Sequence, residues 1–387
     1  MNTIYFDHVS ATPLHPRVKE AIRDYLEGEN YGNPLSQHHI GDAAVETLDS
    51  ARATVARLIN ADPQEIVFTS GGTESNNNAI KGVAFARAKK GKHIITTNIE
   101  HQSVARTLRV LMKMGFQVTA VPVDKQGLVD PKDVEKAIRH DTILVTVMHA
   151  NNEIGTIEPI AEIGKITRSH NVVLHTDAVA SCGSVPIDVK EMGVDLLSMA
   201  ANQFYGPSGV GALYVRDKTE IVPIIDGGTQ ENGLRAGTQN LLGIVGMAKA
   251  AELARLEMPE RTQHLAGLKK ALIGHLSTIE EVYINGNPDL SLPGLISFSV
   301  EYVEGESMTI MLDEQGICVS VRSACASGSL RASHVLIACG RDYATAQGTL
   351  IFSFGIDNTV EQVDKAAEAL KKSINFLRSM SPLYKKK

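Results

Sequence analysis

The chain has 387 residues, of which 43% are hydrophobic and 21% are charged, and its formal net charge is -6. This length allows a full hydrophobic core and two domains, while the negative charge argues against a general nucleic-acid binder. The chain has 4 cysteines, too few for a disulfide scaffold, which favours a reducing, cytoplasmic setting. No secretory signal and no apolar run of about 18 residues is recognisable, so we expect no membrane contact.

The predicted elements begin with an extended segment and two helices, and from residue 66 onward strands and helices alternate. The extended segment covers residues 5–7, the first helices cover 16–26 and 41–58, the strands cover 66–68, 93–97, 117–121, 142–148 and 172–176, and the helices between them cover 73–88, 103–114, 131–139 and 160–170. This alternation predicts an α/β fold with a doubly wound, mostly parallel sheet. Ligands of such sheets bind outside the carboxyl ends of the strands.

The second half of the chain predicts a smaller α+β domain. Two apolar runs around a Gly/Pro loop, within residues 195–215, predict two further strands. A helix follows at 240–255, then half-buried strands at 295–300, 317–321 and 349–354, with helices at 307–314 and 360–380. The predicted division is an N-terminal segment at residues 1–14 that packs with the small domain, a large domain at 15–255 and a small domain at 256–387.

Two motifs at predicted strand ends have the chemistry of an anion or cofactor site. Residues 70–75, SGGTES, follow a strand and open a helix, where free backbone N–H groups and the Thr73 hydroxyl suit a phosphate. An ordinary helix N-cap explains the same residues. Asp177 ends another strand, where its carboxylate suits a protonated ring nitrogen, although a helix N-cap is again the alternative.

Polar loop residues and one cysteine complete the set of candidates. His101 follows the strand at 93–97, and Asn152 lies in the loop HANNEIGT after the strand at 142–148. A lone loop histidine is often only a polar contact. Cys325 lies among small residues close to Arg322, which favours a reactive thiolate over a cysteine packed in the core.

Together these motifs resemble those of the cysteine desulfurases, which are fold-type-I pyridoxal-phosphate (PLP) transferases of the class-V aminotransferase superfamily. The resemblance covers essentially the whole chain. It implies that His101 stacks on the pyridine ring and relays protons, that Asn152 binds the ring hydroxyl and that Asp177 binds the ring nitrogen. It also implies a homodimer, in which Thr238 of the segment GGTQENGLRAGT reaches the phosphate bound by the other subunit.

In the family that the chain resembles, the residue at the position of Cys325 takes sulfur from the substrate, carries it as a persulfide and passes it to a partner. The departures from the family pattern affect the other steps. Gln203 stands where the family has the lysine that joins PLP covalently, and an amide nitrogen neither condenses with an aldehyde nor acts as a base. Four further family side chains are replaced, by Ala180, Ala200, Asn202 and Ile356, the last at the position of the arginine that binds the substrate carboxylate.

Three hypotheses remain open from the sequence. The first is a desulfurase-like protein of iron-sulfur cluster assembly, in which Cys325 accepts sulfur or ligates a cluster together with a scaffold protein, and in which ordinary L-cysteine desulfuration is impaired. The second is an active enzyme that uses non-covalent PLP and another base, such as His101. The third is a structural partner that has lost both functions.

Overall fold

The computed structural model describes residues 3–321, 332–382 and 384. The helices are α1 (Pro16–Glu27), α2 (His39–Leu58), α3 (Gly72–Ala86), α4 (Gln102–Lys113), α5 (Pro131–Ala137), α6 (Ile160–Ser169), α7 (Val189–Met192), α8 (Leu241–Leu276), α9 (Gly305–Asp313), α10 (His334–Ala338), α11 (Tyr343–Gln347) and α12 (Val360–Met380). The strands are β1 (Ile4–Tyr5), β2 (Ile66–Thr69), β3 (His93–Thr97), β4 (Gln117–Val121), β5 (Thr142–Thr146), β6 (Val173–Asp177), β7 (Leu196–Ala200), β8 (Gly211–Val215), β9 (Val282–Asn285), β10 (Leu295–Val300), β11 (Ile317–Cys318) and β12 (Thr349–Ser353). None of these helices combines the length and apolar character needed to cross a membrane.

The larger sheet confirms the prediction of a mostly parallel α/β fold. Its strand order is β2-β8-β7-β6-β5-β3-β4, and only β8 runs antiparallel to its neighbours. The strands β3, β5, β6, β7 and β8 are buried along their whole length. Burial on both faces is typical of sheets whose crossover helices cover each side.

The topology brings the ends of five strands to one edge of the sheet. The strands β3, β5, β6 and β7 are parallel, and β2 runs in the same direction because β8 is antiparallel to both β2 and β7. The loops after all five strands therefore leave from the same edge. The N-terminus of α3, which follows β2, also lies there. Ligands of open α/β sheets bind at this edge.

The helix α8 is longer than predicted. It continues to Leu276 and passes through Pro259, so the predicted end at residue 255 is wrong. Proline removes one backbone hydrogen bond, but apolar residues continue at helical spacing beyond it. Leu265, Leu268 and Leu272 are buried in a second hydrophobic cluster, and this tertiary packing keeps the chain helical. The predicted domain boundary near residue 256 therefore falls inside one continuous helix.

The smaller sheets consist of an antiparallel sheet, β12-β10-β9, and a parallel pair, β1-β11. The N-terminal strand β1 thus pairs with a strand more than 300 residues later in the chain. The strands β10 and β12 are fully buried, so the predicted half-buried pattern is wrong. Their alternate residues enter two clusters. Phe352 packs with the smaller core, and its neighbour Ile351 packs in a cluster with Ala150, which lies in the segment that follows β5.

Candidate active site

A cavity of about 200 Å³ lies at the carboxyl edge of the large sheet. Its wall includes five of the candidate residues, namely Thr73, His101, Asn152, Asp177 and Gln203. They come from four loops and one helix N-terminus that are distant in sequence. The sheet topology brings them together, because the loops that follow parallel strands lie at the same edge of the sheet.

Asp177 provides a buried carboxyl group at the end of β6. Its Oδ2 accepts a hydrogen bond from Asn76 Nδ2 at 2.6 Å, and its Oδ1 accepts one from the Val179 backbone N–H at 3.0 Å. Burial raises the pKa of Asp177, whereas the electrostatic influence of His101 and these hydrogen bonds oppose the rise. A buried carboxylate is stabilised by a cation within contact distance. The site therefore fits a protonated ring nitrogen, and no helix begins at Asp177 that it would cap.

His101 is held in a defined orientation at the cavity wall. It is the N-cap of α4, where its Nδ1 accepts a hydrogen bond from the Ser103 backbone N–H at 3.2 Å. The same nitrogen lies 2.8 Å from Ser103 Oγ. The ordinary polar contact that the sequence left as an alternative is therefore present, in the form of a helix cap. It fixes one ring nitrogen and is compatible with a ring face that packs on a ligand.

The N-terminus of α3 provides an anion site on the opposite wall. Gly71, the N-cap, has a φ of +146°, and no heavy atom lies within 4 Å of the place where its Cβ would stand. A side chain at Gly72 would lie 2.4 Å from Val179. The two glycines therefore bring bare backbone to the cavity, and the first-turn N–H groups lack helical partners, as a bound phosphate requires.

Gln203 occupies the position at which the family lysine was expected. Its Nε2 donates a hydrogen bond to the Val9 backbone oxygen at 3.0 Å, which ties the loop after β7 to the N-terminal segment. No lysine is among the described residues that line the cavity. Three further departures, Ala180, Ala200 and Asn202, line the same cavity. The substitutions thus concentrate around the space that a cofactor would fill.

Thr238 lies outside this cavity, on the exposed surface of the glycine-rich segment. A buried residue of that segment, Glu231, anchors it to the large sheet. The Glu231 carboxylate accepts hydrogen bonds from Arg52 at 2.7 and 2.9 Å and from the Phe68 backbone N–H at 2.8 Å. Sequence reasoning missed this pair, because Arg52 lies 179 residues away.

We expect Arg52→Ala to lower the free energy of unfolding by about 3–5 kcal/mol, because it leaves the buried Glu231 carboxylate without its cation. Arg52→Ala and Arg57→Ala, the latter on the exposed face of the same helix, are compared by urea denaturation. Arg57→Ala should stay within about 0.5 kcal/mol of the parent. Equal losses in the two variants would show that the buried ion pair has no special role.

Glu100 is a second buried carboxyl group that the sequence analysis did not select. Its Oε1 accepts hydrogen bonds from Thr97 Oγ1 at 2.7 Å and from the Met148 backbone N–H at 3.0 Å. Its Oε2 has no partner among the described residues. Burial raises the pKa of Glu100 to about 8. The sequence did contain one signal for Glu100: it is a charged residue that directly follows the apolar Ile99 and directly precedes the candidate residue His101.

The raised pKa of Glu100 predicts a stability that falls as the pH rises. The folded chain holds this proton up to about pH 8, while an unfolded glutamate releases it near 4.3. The folded state therefore binds the extra proton in this window, and each pH unit costs about 1.4 kcal/mol. The unfolding free energy of the parent should therefore fall between pH 7 and 8. We expect this fall to be smaller in Glu100→Gln, by up to about 1.4 kcal/mol.

Urea denaturation at several pH values provides the measurement, with exposed Glu162→Gln as the control. The control should retain the slope of the parent. A Glu100→Gln slope equal to that of the parent would contradict a protonated Glu100.

The described cysteines are poor thiolates. Burial raises the pKa of Cys182 and of Cys339 to about 12. Burial and then the Asp313 carboxylate raise the pKa of the half-buried Cys318. Cys325 and Arg322 lie outside the described residues, so their predicted roles stay predictions. Within residues 3–321, 332–382 and 384, no group of three or more metal-binding side chains occurs.

The mostly parallel sheet and the cavity at its carboxyl edge define a fold-type-I PLP transferase. The family model for class-V aminotransferases matches residues 4–366, and the chain belongs to this family. It is 50% identical over 380 residues to "Cysteine desulfurase IscS" of Dictyoglomus turgidum, covering 98% of this chain and 96% of the relative. It is 48% identical over 382 residues to "Cysteine desulfurase IscS 1" of Archaeoglobus fulgidus, covering 99% and 100%.

A solved structure has the same fold. The chain is similar to a structure described as a NifS-like protein, with a TM-score of 0.91 and 38% identity. The similarity covers 97% of this chain and all of the solved chain. The resemblance to the cysteine desulfurases that the sequence motifs indicated is thereby confirmed.

Proposed function

We propose that this chain is a cysteine desulfurase-like protein of iron-sulfur cluster assembly that acts through Cys325 and not through a lysine-bound cofactor. The Cys325 thiolate accepts sulfane sulfur from a low-molecular-weight persulfide, whose own thiolate leaves, or it serves as a cluster ligand for a scaffold protein. The observation that carries the proposal is the cavity wall, where Gln203 is tied to Val9 and no lysine lines the described cavity. Ordinary L-cysteine desulfuration is therefore impaired.

The residues present fit PLP without a covalent link. Asp177 would hold the ring nitrogen, Asn152 the ring hydroxyl and His101 a ring face, while Thr73 and the N-terminus of α3 would hold the phosphate. When bound, PLP supplies a protonated ring that withdraws electrons from an attached group. In this chain Asp177 keeps the ring nitrogen protonated, and Gln203 provides neither a covalent bond nor a base.

The proposed setting is the cytoplasm, and the proposed assembly is a homodimer that docks an iron-sulfur scaffold protein, with no role for nucleic acid or membrane. Support for the dimer comes from the glycine-rich segment of residues 227–238. It is anchored through Glu231 and presents Thr238 on the surface, where another subunit could be reached.

The test is alanine release from L-cysteine by the purified chain supplied with PLP and a reductant. An active cysteine desulfurase is assayed in parallel as the positive control. We expect release at the level of the reaction without protein. Release comparable with that of the positive control would refute the proposal.

A second candidate function is an active PLP enzyme that uses non-covalent PLP and His101 as its base. The position of His101 on the cavity wall favours it, because a general base must lie within reach of the reacting proton. To act as that base, the ring would have to release the Ser103 backbone N–H that its Nδ1 accepts. This candidate predicts amine-dependent turnover that His101→Gln reduces by about 10²- to 10⁴-fold. Identical turnover in the parent and in His101→Gln would exclude it.

A further inference from the structure

A second, smaller cavity of about 60 Å³ adjoins the first. Both cavities have Val9, Ala180 and Gln203 in their walls. The smaller one is enclosed by the N-terminal segment, α8 and the loop that follows β12. Its chemistry differs from that of the first cavity, because no acidic side chain is among the described residues that line it.

Arg261 brings a buried positive charge to this second cavity. The residue is 7% exposed, and its Nε and Nη2 both donate to Glu257 Oε2, at 3.1 and 2.7 Å. Its third nitrogen, Nη1, has no hydrogen-bond partner among the described residues. The guanidinium lies over the Tyr205 ring, 5.2 Å from the ring centroid. Glu257, which partly balances this charge, is one-third exposed.

Tyr205 adds a hydroxyl donor to the same wall. Its Oη accepts a hydrogen bond from the Ile356 backbone N–H at 2.9 Å, and the structure shows no acceptor for its own proton in the described part of the chain. Burial raises the pKa of Tyr205 to about 12, so the hydroxyl keeps that proton near neutral pH. An unused O–H donor therefore accompanies the unused N–H donor of Arg261.

His8 is the third buried polar side chain of the cavity. It is 8% exposed, and its Nδ1 has no partner among the described residues. Burial lowers its pKa to about 4, which makes the imidazole neutral near pH 7. The remaining wall is mainly apolar and includes Leu265, Phe354 and Ile356. Among the described residues of this wall, Arg261 alone thus carries a formal charge near neutral pH.

A buried donor without an acceptor costs about 1–3 kcal/mol, and more when the donor is charged. An anion in the cavity would remove this cost at Arg261 and Tyr205 together. The cavity volume limits the anion to a few heavy atoms, because a single water molecule needs about 10–15 Å³ by the same measure. An apolar wall with one partly balanced cation also favours a single negative charge over two.

We propose that the second cavity binds a small monovalent anion through Arg261 and Tyr205. The anion is either the carboxylate of a small acid or a free inorganic anion such as hydrosulfide. It would lie directly beside the first cavity, which shares Val9, Ala180 and Gln203 with the second. This proposal does not depend on Cys325, so its failure and the failure of the proposed function are separate results.

The direct test is a crystal of the unmodified protein soaked in sodium bromide. We expect an anomalous peak in the cavity within hydrogen-bonding distance of Arg261 and Tyr205. Calorimetric titrations with formate, acetate and hydrosulfide then identify the source. If formate or acetate binds and hydrosulfide does not displace it, the ligand is a carboxylate. If hydrosulfide binds and neither formate nor acetate displaces it, the ligand is a free inorganic anion.

Two variants and one control connect binding to these side chains. Arg261→Gln and Tyr205→Phe should each raise the dissociation constant of the bound anion by at least about tenfold. Arg255→Gln removes the same charge from the exposed face of α8. This control should keep the dissociation constant within about twofold of the value for the parent chain. The proposal is overturned if the cavity shows no bromide peak, or if Arg261→Gln and Arg255→Gln weaken binding equally.

Discussion

Replacing Cys325 by serine should reduce cluster assembly on a scaffold protein to the rate seen without this chain. A serine hydroxyl neither carries persulfide sulfur nor binds iron in the manner of a thiolate, because it stays protonated near neutral pH. The measurement is the growth of cluster absorbance in an anaerobic mixture of the purified chain, scaffold, ferrous iron, a reductant and cysteine persulfide as the sulfane-sulfur donor. Loss of the function with retention of the fold is the expected outcome.

Cys318→Ser is the matched control, because it removes the most exposed thiol among the described cysteines. The pKa of Cys318 is raised by burial and then by Asp313, so we expect this thiol to contribute little. Thermal denaturation of both variants separates a lost function from a lost fold. Unchanged cluster assembly by Cys325→Ser would contradict the proposal and favour a purely structural partner.

Replacing Gln203 by lysine should create a covalent attachment site for PLP. The side chain at position 203 lines the cavity that contains Asp177 and His101, so an amine there would meet the cofactor aldehyde. We expect the amount of PLP fixed by borohydride to rise from none to about one per chain, with the label on residue 203 in a peptide map. Loss of the hydrogen bond to Val9 should cost only about 1 kcal/mol of stability.

The cysteine desulfurase activity of Gln203→Lys should stay low. Restoring a general base contributes about 10²- to 10⁴-fold in rate, but Ala180, Ala200 and Ile356 still lack the family side chains. Asn202→Lys is the control, because residue 202 lines the same cavity and acquires the same amine. If equal amounts of PLP are fixed at the two introduced lysines, position 203 is no better placed than position 202 to reach the cofactor aldehyde.

Much of the fold was predictable because it depends on local patterns. Regular alternation of apolar strands and amphipathic helices gave β3, β4, β10 and α12 with the observed bounds. The convergence of Asp177 and His101 also followed, since parallel strands place their loops at one edge. These predictions needed no knowledge of contacts between distant residues.

The errors occurred where long-range packing decides the structure. The continuation of α8 through Pro259 depends on contacts of Leu265 and Leu268 with strands near the end of the chain. Full burial of β12 depends on packing against the segment after β5 as well as on the small core. The periodicity of apolar residues within one segment contains no information about the distant segments that pack against it.

The candidate site was predicted incompletely for the same reason. Asn76 binds Asp177 across 101 residues of sequence, and Val9 accepts from Gln203 across 194. A run of three asparagines at residues 76–78 within a helix was an available signal for Asn76. The sequence contained no signal for Val9 or for Arg261 of the second cavity. An apolar residue near the N-terminus and an arginine within a helix are both ordinary features.

The central claim is that no amine of this chain joins PLP covalently. The most direct measurement is intact and peptide mass spectrometry after incubation with PLP and reduction by borohydride, combined with an absorbance scan before and after reduction. We expect no stoichiometric pyridoxyl adduct on any one lysine when excess PLP is removed before reduction, and no L-cysteine consumption above background. A single lysine that carries the adduct stoichiometrically, in a chain that consumes L-cysteine, would contradict it.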